Sequence, residues 1–319
     1  MDSKFSKKPL VFIDGSAGTT GLRIKDRLSG RSDLALLVLP EEQRKDTDAR
    51  RNALNRADIV FLCLPDTAAE EAVALTENPE TVIIDTSTAH RTKEGWTYGF
   101  PEFPGQRERI AVSKRIANPG CHASGFLSLV EPLVSNGLLP ASSLLSCFSL
   151  TGYSGGGKKM IADYEMPENT EPLSAPRAYG LSQTHKHLPE MQKYAGLCVS
   201  PIFTPIVSSY YAGMEVTVPL FASQLCGTVD DVRAVYRERY ANGLIRYCEN
   251  GDEGGFLSAS ALAGRDDMQI GVFGNEERIT LVSRFDNLGK GASGAAIQNM
   301  NIVLGIEETY GLNIGGTQS

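Results

Sequence analysis

The sequence predicts an α/β protein in which a doubly wound, Rossmann-like parallel sheet precedes an α+β domain with a mostly antiparallel sheet. Three observations lead to this prediction. Short apolar runs alternate with helical patterns early in the chain, a glycine-rich turn follows the first run, and longer strand patterns replace the alternation after Pro140. The 319 residues are enough for two domains, each with its own core.

The first apolar run, residues 10–13, has the pattern of a strand buried on both faces. It leads into a GxxGxxG turn at residues 15–21, and a helical pattern follows. Backbone N–H groups of a strand–turn–helix unit can bind a pyrophosphate, so we expect a dinucleotide here. The alternative is a glycine turn that binds no ligand. The predicted cofactor ligands are Gly15, Ser16, Gly18, Thr19, Thr20 and Gly21.

The segment after the second predicted strand, residues 34–39, bears on the choice of cofactor. An acidic residue at the end of this strand would bind the ribose 2′-hydroxyl of NAD. Here Glu41 and Glu42 are followed by a basic cluster, which suits the 2′-phosphate of NADP. NADP is therefore favoured, with Arg44 as a ligand, and a solvated surface helix is the alternative. The cluster consists of Arg44, Lys45, Arg50 and Arg51.

Further strands are predicted at residues 59–64, 82–85 and 110–113. Loops at the carboxyl ends of parallel strands form the ligand crevice. Ser87 and Arg91, in the loop after residues 82–85, are therefore placed to hold an anionic group, and Ser87 is also assigned to the cofactor. An ion pair between domains is the alternative for Arg91.

Cys121 stands at the start of a predicted helix, directly after Asn118-Pro119-Gly120. Free backbone N–H groups and the helix dipole favour a thiolate there, which is the nucleophilic form of cysteine. A small buried cysteine is the alternative. His122 is the poorer candidate for its base, because adjacent helical residues point in different directions.

The second half of the chain has two candidate site segments. Residues 152–159 form a glycine-rich loop, where Gly155 and Gly156 would let the backbone approach a ligand; a linker is the alternative. His185 and His187 precede Glu190, and a carboxylate can hold a proton-carrying histidine in the required tautomer. Zinc binding by the two histidines and Cys121 is the competing idea. The predicted strands are residues 144–150, 197–203, 214–220, 268–273 and 278–285.

Composition excludes several classes of partner. The formal net charge of −7 argues against nucleic acid or an anionic membrane, since either requires a basic surface. No apolar run approaches the roughly 20 residues of a membrane span, and no signal-peptide core is present, so we expect a cytoplasmic protein. The six cysteines lack CxxC spacing and lie mostly in apolar runs, which indicates free thiols.

Taken together, these motifs resemble the short form of the N-acetyl-gamma-glutamyl-phosphate reductases, and more distantly the aspartate-semialdehyde dehydrogenases. The double-histidine pattern favours the first family. The resemblance covers nearly the whole chain. It rests on residues 15–21, 85–91, 98–102, 118–121, 154–158, 185–190, 287–294 and 298–301.

The resemblance implies NADPH-dependent reduction of an acyl phosphate to an aldehyde in arginine biosynthesis, with a Cys121 thioester and release of phosphate. It implies His185 as the acid and base and Glu190 as the residue that orients it. Arg91 and Ser87 would hold the phosphate. Asn118 and His187 are assigned to the substrate, and a homodimer or homotetramer is expected. The residues implied to line the cofactor pocket are Gly155, Gly156, Asn287 and Lys290.

Three segments are expected from these assignments: an NADP-binding domain at residues 1–117, a catalytic and oligomerisation domain at 118–289, and a C-terminal helix at 290–319 that returns to the first domain. Other interpretations are a lysine-pathway acyl-phosphate reductase, a cysteine hydrolase, and an NADP-binding redox sensor with Cys121 as its oxidisable thiol. The sensor would bind NADP without forming a thioester.

Overall fold

Two sheets, each in its own part of the chain, organise the fold. The computed structural model describes residues 7–166 and 170–315. Its first unit comprises Met1–Pro119 with Ala292–Leu312, and its second comprises Gly120–Gly291 with Asn313–Ser319. Among the described residues, no helix has the length and apolar character needed to cross a membrane.

The first unit contains a parallel sheet in the order β2-β1-β3-β4-β6-β5, as predicted. Its strands are β1 (Leu10–Asp14), β2 (Ala35–Leu37), β3 (Ile59–Leu62), β4 (Val82–Asp85), β5 (Thr97–Tyr98) and β6 (Arg115–Ala117). The helices between them are α1 (Thr19–Ser29), α2 (Thr47–Arg56), α3 (Asp66–Leu75) and α4 (Gln106–Val112).

Both faces of this sheet are covered, which explains the unbroken apolar runs of its strands. Val11 and Ile13 of β1 belong to one core cluster, and Phe12 between them belongs to another. Successive residues of a strand point to opposite faces, so β1 has no solvent-facing side. Its apolar run therefore continues without interruption to Ile13, one residue before β1 ends at Asp14.

The strand predicted at residues 110–113 is wrong, because this segment ends helix α4. Ile110 is fully buried whereas Val112 is 75% exposed, and charged residues at 107–109 precede them. Three apolar residues in a row fit a short helix as well as a strand, and periodicity alone does not separate them. The strand is β6, which begins at Arg115 and pairs with β4.

The second unit contains a mixed, mostly antiparallel sheet in the order β11-β12-β13-β10-β7-β9-β8. The pairs β7–β9 and β11–β12 are parallel, and the other neighbouring strands of this sheet run antiparallel. The strands are β7 (Ser146–Gly152), β8 (Arg177–Ala178), β9 (Ile202–Ser208), β10 (Met214–Phe221), β11 (Ile245–Tyr247), β12 (Met268–Gly274) and β13 (Arg278–Phe285).

The strand predicted at residues 197–203 is displaced towards the C-terminus. Gly196 ends a helix in the left-handed conformation, and the Leu197 N–H donates to the carbonyl of Gln192. Leu197 therefore closes a helix cap, where an apolar residue packs back on the helix. The strand starts only after Pro201, at Ile202.

Helix α5 (Cys121–Ser135) is the buried centre of the second unit and packs against α8, α9, β10 and β13. Gly125 permits this packing, because a Cβ there would lie 2.8 Å from Ser283 Oγ and collide with Val216. The other helices of this unit are α6 (Gly157–Glu165), α7 (Thr170–Leu173), α8 (Leu188–Ala195) and α9 (Val229–Arg239). Helix α10 (Gly294–Leu304) lies in the first unit.

Candidate active site

The glycine turn after β1 has no room for side chains at two of its positions. Gly15 has a φ of +87°, and a Cβ there would collide with the Cys63 carbonyl. A Cβ at Gly21 would collide with the Gly15 carbonyl. The turn therefore presents bare backbone, which is what close approach of a pyrophosphate requires.

The start of α1 lies directly behind this turn. Gly18 is the N-cap, and Thr19 and Thr20 are the first helical residues. The Gly18 N–H donates to the Gly15 carbonyl at 2.9 Å, which holds the turn against the helix. The first N–H groups of a helix have no intrahelical acceptor, so this end of α1 is suited to an anion.

A cavity of about 640 Å³ opens beside the turn and includes Ser16 in its lining. Arg44, Lys45 and Arg50 line it as well, so three members of the predicted basic cluster come together there. The Nε of Arg44 is buried and has no hydrogen-bond partner within residues 7–166 and 170–315. Arg51 instead forms an exposed ion pair with Asp48. The cavity and the bare turn fit a nicotinamide dinucleotide, and the Arg44 Nε is available to an anionic group in that cavity.

The loop after β4 is organised by the buried carboxylate of Asp85. It accepts hydrogen bonds from the Ser87 N–H at 2.9 Å and the Ser87 hydroxyl at 2.7 Å, and its Oδ2 lies 2.6 Å from His90 Nδ1. His90 stacks on Trp96 with ring centroids 4.0 Å apart. The Ser87 proton is directed at Asp85, so the assignment of Ser87 to an anion stays a prediction.

Arg91 and Asn118 are buried in the first unit. The Arg91 guanidinium donates to the carbonyls of Asn118 and Thr86 at 3.0 and 3.1 Å. The Asn118 amide donates to the Ala292 carbonyl at 3.1 Å and accepts from Asn299 at 3.2 Å. These contacts fix both side chains, and their assignment to phosphate and substrate stays a prediction.

In the second unit, helix α5 begins at Cys121, as the sequence predicts. Gly120 is the N-cap residue of α5 and, as a glycine, has no side chain to cap the helix. Its N–H donates a hydrogen bond to Oε2 of the buried Glu190, with a nitrogen–oxygen distance of 3.1 Å. Cys121 is half-buried, and a Cβ at Gly291 would lie 2.9 Å from the Cys121 Cβ. Backbone therefore packs directly against the cysteine, a contact that requires glycine and that the sequence analysis missed.

The two predicted histidines lie together, with ring centroids 4.7 Å apart. Glu190 Oε1 is 4.0 Å from His187 Nε2, and the His187 N–H donates to His185 Nδ1 at 3.2 Å. His187 is buried and His185 half-buried. Glu190 thus forms a carboxylate–imidazole pair with His187, and its assignment as the residue that orients His185 stays a prediction.

His122 belongs to the same cluster. Its ring lies 5.6 Å from that of His185 and 5.4 Å from that of His187. Its Nδ1 is 2.6 Å from Ser149 Oγ and its Nε2 is 2.8 Å from Tyr179 OH. Burial, together with electrostatic interactions with His185 and Lys186, lowers the pKa of His122 to about 3. A neutral ring bonded at both nitrogens is not a base for Cys121.

Tyr179 was missed by the sequence analysis, because no local pattern links it to residues 57 positions away. Burial raises the pKa of its hydroxyl, and the charge of Cys121 raises it further. The phenol is therefore neutral and remains a hydrogen-bonding group near neutral pH.

The remaining predicted cofactor residues separate into exposed and buried sets. Gly155 and Gly156 are exposed in a 3₁₀ turn before α6. The buried Asn287 amide donates to Ser154 Oγ at 2.9 Å and accepts from the Gly213 N–H at 3.0 Å. Lys290 is buried in a π-helical turn, Gly289–Ser293. Asn287 thus holds the glycine-rich loop in place, and contact of these residues with a cofactor stays a prediction.

No group of three or more His, Cys, Asp or Glu side chains in the described part of the chain is arranged to hold a metal ion.

Family models match both units. Residues 10–112 match the semialdehyde dehydrogenase NAD binding domain, and residues 121–287 match the semialdehyde dehydrogenase dimerisation domain. Among solved structures, aspartate semialdehyde dehydrogenase II from Vibrio cholerae is similar, with a TM-score of 0.70 and 17% identity over 93% of this chain and 98% of that one. The structure of aspartate semialdehyde dehydrogenase with NADP from Candida albicans has a TM-score of 0.65 and 15% identity, covering 93% of this chain and 99% of that one. These likenesses confirm the fold.

Curated relatives are much more similar in sequence. N-acetyl-gamma-glutamyl-phosphate reductase 2 of Pseudomonas putida is 45% identical over 311 residues, which are 95% of this chain and 99% of that protein. The N-acetyl-gamma-glutamyl-phosphate reductase of Brucella ovis is 48% identical over 308 residues, covering 93% and 99%. The chain therefore belongs to the N-acetyl-gamma-glutamyl-phosphate reductase family, within the semialdehyde dehydrogenases, and is an oxidoreductase.

Proposed function

We propose that this chain reduces N-acetyl-L-glutamyl 5-phosphate to N-acetyl-L-glutamate 5-semialdehyde in arginine biosynthesis, with NADPH as reductant and phosphate as leaving group. The observation that carries the proposal is the placement of Cys121 at the first position of α5, beside Glu190 and a histidine cluster. The names of relatives at 45–48% identity over nearly the whole chain support the same reaction.

NADP(H) is proposed as the cofactor because of the first unit's cavity. The bare backbone at Gly15 and Gly21 and the start of α1 would hold the pyrophosphate. The unpaired Nε of Arg44 would bind the 2′-phosphate, since a guanidinium is a strong phosphate partner. When bound, the reduced nicotinamide supplies the hydride that converts a thioester to a thiohemiacetal.

Cys121 is proposed as the nucleophile. Its thiolate attacks the acyl carbon, the bond from that carbon to the phosphate oxygen breaks, and the thioester forms as phosphate leaves. The N-terminal N–H groups of α5 stabilise the thiolate and the oxyanion of the tetrahedral intermediate. Arg91 and Ser87 are assigned to the departing phosphate. After reduction, the carbon–sulfur bond breaks, which releases the aldehyde and restores the thiolate.

A histidine is proposed to give a proton to the thiohemiacetal oxygen and to take it back when that oxygen becomes the aldehyde carbonyl. His185 is the first candidate from the family resemblance. The 4.0 Å separation from the Glu190 carboxylate supports His187 as the second candidate. A carboxylate at that position stabilises a positively charged ring and holds its orientation.

A homodimer or homotetramer is proposed through the open face of the second sheet. Phe148, Ile202 and Phe221 lie on this face of β7, β9 and β10 and are 43%, 63% and 62% exposed. Large apolar residues on one exposed face mark an interaction surface. The match to a dimerisation domain over residues 121–287 supports this assignment.

The test is reduction of NADP by N-acetylglutamate semialdehyde, followed by NADPH absorbance with and without phosphate or arsenate. Activity is expected to require the oxyanion and to fall by about 10³-fold or more in Cys121→Ser. Cys198→Ser is the matched control, because Cys198 is exposed and outside the helix start. Oxyanion-independent turnover would refute phosphate as the group exchanged with the thioester, since water would then be the acceptor, and an active Cys121→Ser would refute the thioester route. Turnover of aspartate semialdehyde instead would refute the substrate.

A further inference from the structure

Asp14 and Arg50 form a buried ion pair at the edge of the first unit's cavity. The Nε and Nη2 atoms of Arg50 lie 3.1 and 2.9 Å from the same oxygen, Oδ2 of Asp14. Asp14 ends β1 and is 4% exposed, and both side chains line the cavity. Two donors on one oxygen fix the guanidinium relative to the glycine turn.

The Asp14 carboxylate lies where it would repel a pyrophosphate bound to the glycine turn. Asp14 directly precedes Gly15, so a pyrophosphate on the turn would meet a buried carboxylate in a region of low dielectric. Burial raises the pKa of Asp14, and its contacts with Arg50 oppose that rise. The guanidinium therefore favours the ionised form of Asp14 and offsets its charge.

Arg44 lines the same cavity but is arranged differently. Its Nε has no hydrogen-bond partner among the residues that the structure describes, whereas two of the three nitrogens of Arg50 are directed at Asp14. One arginine is thus available to a new anion, and the other is committed to an anion already in the fold.

We propose that Asp14 and Arg50 act as one neutral positioning unit that makes the glycine turn compatible with the phosphates of a dinucleotide, while Arg44 distinguishes NADPH from NADH. This division of roles rests on the proposed use of NADP(H). It separates two arginines that the sequence places in a single basic cluster.

The experiment is calorimetric titration of the full chain with NADPH and with NADH. Arg50→Met is expected to weaken the binding of NADPH and of NADH by the same factor, about tenfold or more, because it leaves the Asp14 carboxylate as an uncompensated charge. Asp14→Asn combined with Arg50→Met is expected to restore both affinities to within about threefold of wild type. Arg44→Met is expected to weaken NADPH binding by about tenfold and NADH binding by less than about twofold.

Each result either supports or overturns the inference. If Arg50→Met loses much more affinity for NADPH than for NADH, the inference is overturned, since Arg50 would then bind the 2′-phosphate itself. A folded double variant that fails to regain affinity would overturn it too. If Arg50→Met does not fold by circular dichroism, the double variant, which contains no uncompensated charge, must fold and bind. Wild-type protein that binds neither nucleotide would refute the proposed cofactor, and the inference with it.

Discussion

Replacing Glu190 separates two contacts of its carboxylate, because the contact with Gly120 needs only an acceptor oxygen and the contact with His187 needs a charge. Glu190 accepts from the Gly120 N–H at 3.1 Å and lies 4.0 Å from His187 Nε2. In Glu190→Gln the amide oxygen can still accept from Gly120, so only the charge-assisted part of that bond is lost. Charged hydrogen bonds contribute about 1.5–3 kcal/mol and neutral ones about 0.5–1.5, so about 1 kcal/mol of stability should be lost.

Glu190→Ala is the companion variant. It removes the acceptor, leaves the Gly120 N–H unsatisfied and opens space beside α5, where Glu190 is 1% exposed. An unsatisfied buried donor costs about 1–3 kcal/mol, and the lost packing adds to that. The free energy of unfolding in urea should therefore be highest for wild type, lower for Glu190→Gln and lowest for Glu190→Ala.

Activity should not follow this ranking. If Glu190 orients and charges a histidine, Glu190→Gln loses about 10²-fold in kcat/KM although it folds nearly as well as wild type. Loss of a negative charge beside the start of α5 favours the Cys121 thiolate, so alkylation of Cys121 by iodoacetamide should not slow. Turnover of Glu190→Gln within about threefold of wild type would refute the orienting role. An equal fall in alkylation and turnover would show that Glu190 only holds the helix start.

Two further outcomes are expected. The folded-state pKa of His122, about 3, lies below its ordinary value of 6.5, so the unfolded chain binds the extra proton and stability falls as the pH drops below 6.5. Between about pH 6.5 and 5 this proton uptake lowers the free energy of unfolding by about 2 kcal/mol. Urea midpoints of His122→Gln should lack this part of the pH dependence. A variant with the same pH dependence as wild type would refute the low pKa of His122. Asp85→Ala removes the buried acceptor of Ser87 and His90. Hydrogen bonds to a charged group contribute about 1.5–3 kcal/mol each, so losing both should cost about 3–5 kcal/mol in thermal unfolding, whereas a loss below about 1 kcal/mol would contradict this account.

Local patterns predicted the elements whose cause is local. The run at residues 10–13 and the turn after it place β1 and α1, and the Pro-Gly before Cys121 places the start of α5. Residues 110–113 were assigned to a strand because three apolar residues fit either structure, and only packing of Ile110 against the sheet decides for the helix.

The contacts that shape the site are mostly distant in sequence, and no spacing rule predicts them. Arg50 is 36 residues from Asp14, and Glu190 is 70 residues from Gly120. The histidine and glutamate motif indicated that a carboxylate would accompany an imidazole. It did not indicate that the same carboxylate also accepts from the Gly120 N–H before the helix of Cys121, because that contact depends on how α8 packs against α5.

Buried aspartates connect these observations. Asp14 and Asp85 end β1 and β4, and Asp286 directly follows β13; each lies at the point where a strand gives way to a candidate ligand loop. Asp286 accepts from the N–H groups of Leu288 and Gly289 at 2.6 and 2.9 Å, just as Asp85 holds its own loop. Such loops lie beyond the apolar core, so side-chain acceptors replace packing as the force that fixes them.

This way of fixing loops has an electrostatic cost for a protein that binds phosphates. A buried carboxylate next to an anion site must be neutralised, or it repels the ligand that the loop is shaped to hold. Asp14 is paired with the Arg50 guanidinium, and Asp85 is hydrogen-bonded by the Ser87 hydroxyl and lies 2.6 Å from the His90 imidazole. Arg50 and His90 therefore belong to the loop framework rather than to the ligand. A basic residue near a phosphate site can be assigned to the ligand only after the acidic partners within the fold have been accounted for.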